Sequence, residues 1–262
     1  MKQTMKRITM IIVSLLLDAS FLHAQDAAAI IDASRNRIKS DTVSTRSRMV
    51  ISAKDGTTSE RALDQYAKKD ARGNERAVIV FQRPASVAGT RFLTMEKPNS
   101  TDDRWIFLPS LGRVRRIAAS EGGGSFMGTD FSYDDMSLTT RDTDKDTHSL
   151  LREENLNGVA CYVIESKPKD TSFQYSRFVS WIDKKTSISY KIELYDQRGN
   201  LNKLIEMSGI KEIQGRLTPT VTKISTIAAG TSTTITIDII KYDDPVPEGV
   251  FTTTYLETGR VR

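Results

Sequence analysis

The chain has 262 residues, with 38 Lys and Arg against 33 Asp and Glu, a formal charge of +5, and one cysteine, Cys161. A single cysteine excludes an intramolecular disulfide and a Cys-rich metal site. The mild positive balance allows attraction to anionic lipid headgroups but does not demand a nucleic-acid partner.

In chain order, MKQTMKR places Lys2, Lys6 and Arg7 ahead of an apolar run from Ile8 to Leu17, and small Ala24 precedes a polar start at Gln25. This is the pattern of a cleaved export signal over residues 1–24, and it predicts a periplasmic protein. The apolar run is far shorter than the roughly 20 residues a bilayer-spanning helix needs. No cysteine adjoins Ala24, so no lipid anchor is expected, and 25–262 reads as a single domain without stable membrane insertion. Loss of Lys2, Lys6, Arg7 and Asp18 takes the charge from +5 to +3. Export also argues against nucleic acid.

DAAAIIDASRNRIKS, from Asp26, carries Ile30, Ile31 and Ile38 with Ala27 and Ala28 on neighbouring turns, and predicts an opening helix with its arginines on the other face. The period then changes to two. TVSTRSRMVIS, RAVIVF, ACYVIES, YSRFVSWID, SISYKIELY, KLIEM and TTITIDIIKY read as strands, separated by Asp55-Gly56, Gly73-Asn74, Asn157-Gly158 and Arg198-Gly199-Asn200. Such dense hairpin signals predict an antiparallel meander of about ten strands, without the long crossovers of parallel sheets. Trp105 and Phe107 share one face of WIFL, Ile106 and Leu108 the other. One short helix leaves a long apolar concave face to be covered, by a groove's occupant or by a loop.

The region 118–142 interrupts the meander with GGGSFMGTDFSYDD. Gly122 to Gly124 and Gly128 permit backbone angles closed to other residues, so the chain can fold back over the sheet. Phe126, Met127, Phe131 and Tyr133 then supply apolar rim groups, and Asp130 is expected to accept backbone N–H bonds or to pair with Arg113, Arg115 or Arg116. Gly124, Gly128 and Asp130 thus form a candidate clasp. Hydrolytic chemistry fits poorly. Asp134 and Asp135 are adjacent and would diverge on an extended chain, the glycines precede the acids instead of interleaving as in a calcium loop, and His148 is the one histidine beyond the signal, read as a surface residue. No catalytic, metal or cofactor site is therefore predicted. Cys161, in an apolar strand, reads as a small buried hydrophobe.

WIFLPSLGRVRRIAASEGGGSFMGTDFSYDDM, together with FQRPASVAGTRFL before it and WIDKKTSISYKIELYDQRGNLNK after it, resembles the LolA-like outer-membrane lipoprotein-sorting protein family, in a divergent and largely uncharacterised branch. MGTD stands where MGSD is commoner, and Thr186 to Ser189 where proline is frequent. The resemblance implies an incomplete antiparallel β-barrel, of α+β class, wrapped around an N-terminal helix and a long Gly-rich loop or helical insertion on its concave face. It also implies a carrier that takes lipoprotein acyl chains from an inner-membrane transporter towards an outer-membrane acceptor. Trp105, Phe107, Phe126, Met127, Phe131 and Tyr133 are the expected lipid-contacting set, and Arg113, Arg115 and Arg116 the headgroup or partner patch. A module that docks on an envelope protein without transferring lipid is the alternative.

Overall fold

The computed structural model describes residues 27–97, 100–138 and 141–261; the signal segment lies outside them. Helix α1 covers 27–35. Thirteen strands follow: β1 (Thr42–Ser52), β2 (Thr58–Lys69), β3 (Glu75–Arg83), β4 (Arg91–Met95), β5 (Asp103–Leu108), β6 (Arg113–Ile117), β7 (Asp146–Leu156), β8 (Val159–Pro168), β9 (Arg177–Asp183), β10 (Ser189–Tyr195), β11 (Leu201–Ile213), β12 (Arg216–Thr226) and β13 (Thr231–Tyr242). A short helix, α2 (Thr253–Thr258), comes last. The described chain divides into two compact units, 27–37 with 141–201 and 38–138 with 202–261.

The larger unit orders its strands β6-β5-β4-β3-β2-β1-β13-β12-β11, and β6 has β5 as its one neighbour. The smaller runs β10-β9-β8-β7. The antiparallel meander is as expected, but the described residues form thirteen strands, not about ten, and in the larger unit no pairing among them joins β6 to β11 to close a barrel. Strands β2, β4, β7 and β12 are the additions. TSERALDQYAKK and DTHSLLREENL carry charges on both faces, RFLTM is short, and RLTPTVTKIST contains a proline, so none shows a clean apolar alternation. The hairpins form where the turn residues placed them: Asn157 and Gly158 both take positive φ, 52° and 91°, as a tight type I′ connection between β7 and β8 requires.

In the smaller unit α1 buries Ala27 and Ile31 against Ile164 and Ile182. Its Arg35 turns inward, against expectation, with a side chain 13% exposed and 3.5 Å from Asp146. Arg141 holds the same carboxylate at 2.9 Å, so a buried charge at the head of β7 recruits two guanidiniums. On the opposite face of this sheet Cys161 packs with Val163, Val179 and Trp181, as a buried hydrophobe. His148 is not a surface residue. It is buried, with Nδ1 2.7 Å from Ser166 Oγ and Nε2 2.9 Å from the Thr143 carbonyl, and desolvation depresses its pKa.

In the larger unit a segment packs on each face of the sheet. On one, Val78, Val80 and Leu93 pack against Val246, Val250, Phe251 and Leu256 of the C-terminal segment. Lys68 and Arg76 bind Glu248 at 2.5 and 2.8 Å, tying that segment to β2 and β3. On the other lie residues 122–138, a strap across part of that face.

Candidate functional site

The strap is a small hairpin laid on the sheet. Ser125 and Ser132 form a β-bridge, and the Phe126 amide donates to the Phe131 carbonyl at 2.7 Å. Its tip takes left-handed backbone at Met127 (φ 54°) and Gly128 (φ 73°). The first glycine is fixed by packing: a Cβ on Gly122 would stand 2.4 Å from an Asp134 carboxylate oxygen.

Three carboxylates fasten the strap, each to a different partner. Asp130, 7% exposed, accepts from the hydroxyls of Thr226 (2.6 Å), Thr231 (2.5 Å) and Thr233 (2.7 Å), while its amide donates to Thr233 Oγ1 at 3.0 Å. Asp134 accepts from Arg104 at 2.8 Å. Asp135 accepts from Lys203 Nζ at 2.6 Å and from the Ser132 amide at 2.7 Å. Adjacent acids do diverge, one towards β5 and one towards β11. Arg61 on β2 adds a fourth tie, donating to the Met127 carbonyl at 2.7 Å.

Asp130 is hydrogen-bonded to the sheet, but to partners the sequence did not predict. Threonine hydroxyls replace the expected backbone donors and arginines. Arg115 binds Glu121 at 2.6 Å, Arg116 binds Asp103, and Arg113 makes no ion pair among the described residues. Thr231 and Thr233 stand two apart on β13, so period-two reading places them on one face; that Thr231 stands opposite Thr226, and Thr233 opposite Ile224, is a matter of register that no local pattern encodes.

The aromatic residues do not gather into one groove. Phe126 is fully buried, with ring centroids 5.9 Å from Phe81, 5.1 Å from Phe92 and 5.8 Å from Tyr133. Phe131 and Tyr133 are also buried, and burial raises the pKa of the Tyr133 phenol. Phe92 pairs with Ile106 in the β4–β5 ladder, so the strap lies on the Ile106 face. Trp105 and Phe107 point the other way and pack, half-buried, with the cluster that the C-terminal segment covers. The expected lipid-contacting set is therefore divided between the two faces.

The strap face continues across the unit as two apolar rows that sequence reading did not assemble. Thr233, under the strap, belongs to the row Ile205–Ile224–Thr233–Ile51; the next row is Met207–Thr222–Ile235–Met49. Ile205, Ile224 and Met49 are buried, whereas Ile51, Met207 and Ile235 are half-buried. This face offers aliphatic and thioether groups with hydroxyls between them, suited to adaptable contact with a hydrocarbon chain.

A family model described as "-like: Uncharacterized protein" matches residues 73–258. A DUF1329 family protein from Desulfovibrio piger is 30% identical, over 89% of this chain and 99% of its own, with a TM-score of 0.85. The chain belongs to this DUF1329-like family. A domain from Vibrio parahaemolyticus, described as that of an outer membrane lipoprotein-sorting protein, is 25% identical over 89% of this chain and 99% of its own, with a TM-score of 0.84. The fold is also that of a LolA superfamily protein from Nitrosomonas europaea, at 22% identity, a TM-score of 0.70, and 87% and 98% coverage. Among curated proteins none matches. The DUF1329-like chain is thus a divergent form of the LolA-superfamily fold, and among its described residues no helix is long and apolar enough to cross a membrane.

Proposed function

We propose that the protein is a periplasmic carrier that shelters acyl chains of lipoproteins or related lipids on the strap face of its larger unit and releases them towards the outer membrane. The observation that carries this reading is the likeness to the lipoprotein-sorting domain from Vibrio parahaemolyticus across nearly the whole of both chains. The half-buried Ile51, Met207 and Ile235 support it by supplying the apolar surface. Each CH₂ that leaves water contributes about 0.8 kcal/mol, so an anchor with several acyl chains needs little polar recognition. The role is non-enzymatic and uses no cofactor: Asp130, Asp134 and Asp135 are engaged in holding the strap. An inner-membrane transporter and an outer-membrane acceptor are the partners this role requires.

A second reading, a module that docks on an envelope protein and transfers no lipid, draws on the aromatic packing of the strap, whose Phe126 fills its own space against Phe81 and Phe92. Native mass spectrometry of the protein isolated from its own envelope separates the two. The carrier retains an acylated species whose mass is recovered on organic extraction and accepts a purified lipoprotein in a transfer assay. A protein that holds no lipid and accepts none is the docking module.

A further inference from the structure

The connection between β3 and β4 and that between β5 and β6 emerge at the same end of the larger unit, since each pair of strands is antiparallel and consecutive. They are in contact: a Cβ built on Gly89 would lie 3.3 Å from Pro109 Cγ. The segment at the end of α2 arrives there too. Arg91, the first residue of β4, donates to the Leu256 carbonyl at 2.9 Å, and its guanidinium lies against Gly259.

This corner has an unusual surface. Leu111, at the tip of the β5–β6 hairpin, is 54% exposed and Val261 is 47% exposed, two of the most exposed large hydrophobics among the described residues. Arg83 and Arg113 flank the two connections and Arg260 follows Gly259; all three are exposed and make no ion pair among the described residues. Arg115 and Arg116, on the same hairpin, are already matched by Glu121 and Asp103, so they add little net charge.

We propose that this corner is a peripheral docking surface for an anionic lipid bilayer, with Leu111 and Val261 reaching the interface and Arg83, Arg113 and Arg260 engaging headgroup phosphates. An exposed leucine on a tight hairpin is an apolar tip that opposes water on several sides, and unmatched guanidiniums on the flanking segments supply the charge complementarity that selects anionic over neutral lipid. A second copy of the chain is a poor occupant, because like-charged arginines would face one another. The contact is shallow and reversible, since two side chains bury too little hydrocarbon for stable insertion. The inference goes beyond the carrier reading and stands apart from it: a protein that carries no lipid can still dock, and a carrier can fail to.

Flotation with vesicles of phosphatidylcholine alone, and of phosphatidylcholine mixed with phosphatidylglycerol, tests it on the protein isolated from its own envelope. The wild type is expected to float with the mixed vesicles only. Arg113→Glu and Arg260→Glu should each lower the partition at least about fivefold, the equivalent of about 1 kcal/mol per surface arginine, and Leu111→Ser should lower it at constant charge. Lys211→Glu, on β11 beside the opposite hairpin end, makes the same charge change and should leave partition near wild type. Equal loss in Lys211→Glu would overturn the proposal in favour of a general net-charge effect, as would equal flotation with neutral vesicles or none with either. Unchanged amide-exchange protection in each variant establishes that the fold is intact.

Discussion

Replacing Asp130 with alanine removes the acceptor of three threonine hydroxyls at 2.5 to 2.7 Å. The cost can be built from the site. Hydrogen bonds to a charged group contribute about 1.5–3 kcal/mol, and a buried hydroxyl left without an acceptor costs about 1–3 kcal/mol. Thr233 is fully buried and incurs that second cost, whereas Thr226 and Thr231 are half-buried and can turn to water. Counting one charged hydrogen bond together with the unmet Thr233 hydroxyl, the sum is a loss of about 2.5–6 kcal/mol. Asp130→Asn preserves shape and one carbonyl oxygen, and since a threonine hydroxyl can accept from the new amide, about 1–2 kcal/mol is expected. Because the chain comprises two compact units, a single melting temperature need not report the strap. Amide exchange at 125–133 reports it directly: protection there should fall in Asp130→Ala, less in Asp130→Asn, and not at all in α1. A loss below about 1 kcal/mol, with strap amides as protected as in wild type, would refute the clasp.

Three further outcomes follow from the same geometry. Gly122→Ala sets a methyl where the Asp134 carboxylate sits, so it should displace Asp134 from Arg104 and cost about 1–3 kcal/mol, seen as faster exchange at the start of the strap. His148 has its folded-state pKa below the ordinary value of about 6.5, so the unfolded chain binds the proton first; stability should be full above that pH and decline as pH falls towards the depressed value, and His148→Gln should flatten this part of a urea-midpoint-versus-pH curve. Phe126→Ala should cost about 3–5 kcal/mol and Trp105→Ala should loosen α2 while sparing the strap; lying on opposite faces, their effects should add to within about 0.5 kcal/mol in the double variant, measured by denaturant unfolding.

Local chemistry made much of this fold legible. Asn157-Gly158 specified a hairpin because two successive left-handed residues leave the chain few alternatives, and ITIDI read as a strand because its period is two. Strands β2 and β7 were not legible for the converse reason: Asp64, buried beneath Arg46 and Gln82, and His148, buried against Ser166, are polar groups satisfied by tertiary partners, and a hydropathy pattern counts them as exposed. The strap shows both behaviours. Its glycines and carboxylates raised the expectation of a clasp, yet the partners of Asp130 lie 96 to 103 residues away in sequence, and only the β12–β13 register brings them together. The division of the aromatic set between two faces was not legible for a simpler reason. Alternation showed that Trp105 and Ile106 face opposite ways, but which face the strap would cover depended on where the C-terminal segment packs.

The central claim is that acyl chains lie on the strap face. A photo-crosslinking side chain placed at Met207, half-buried on that face, and at Leu217, exposed on the opposite face of the neighbouring strand, tests it in the native envelope. The account predicts ultraviolet-dependent adducts at position 207 whose mass carries an acylated lipoprotein or lipid, and none at 217. Adducts at 217 alone, or none at 207 in a variant that remains folded, would contradict it.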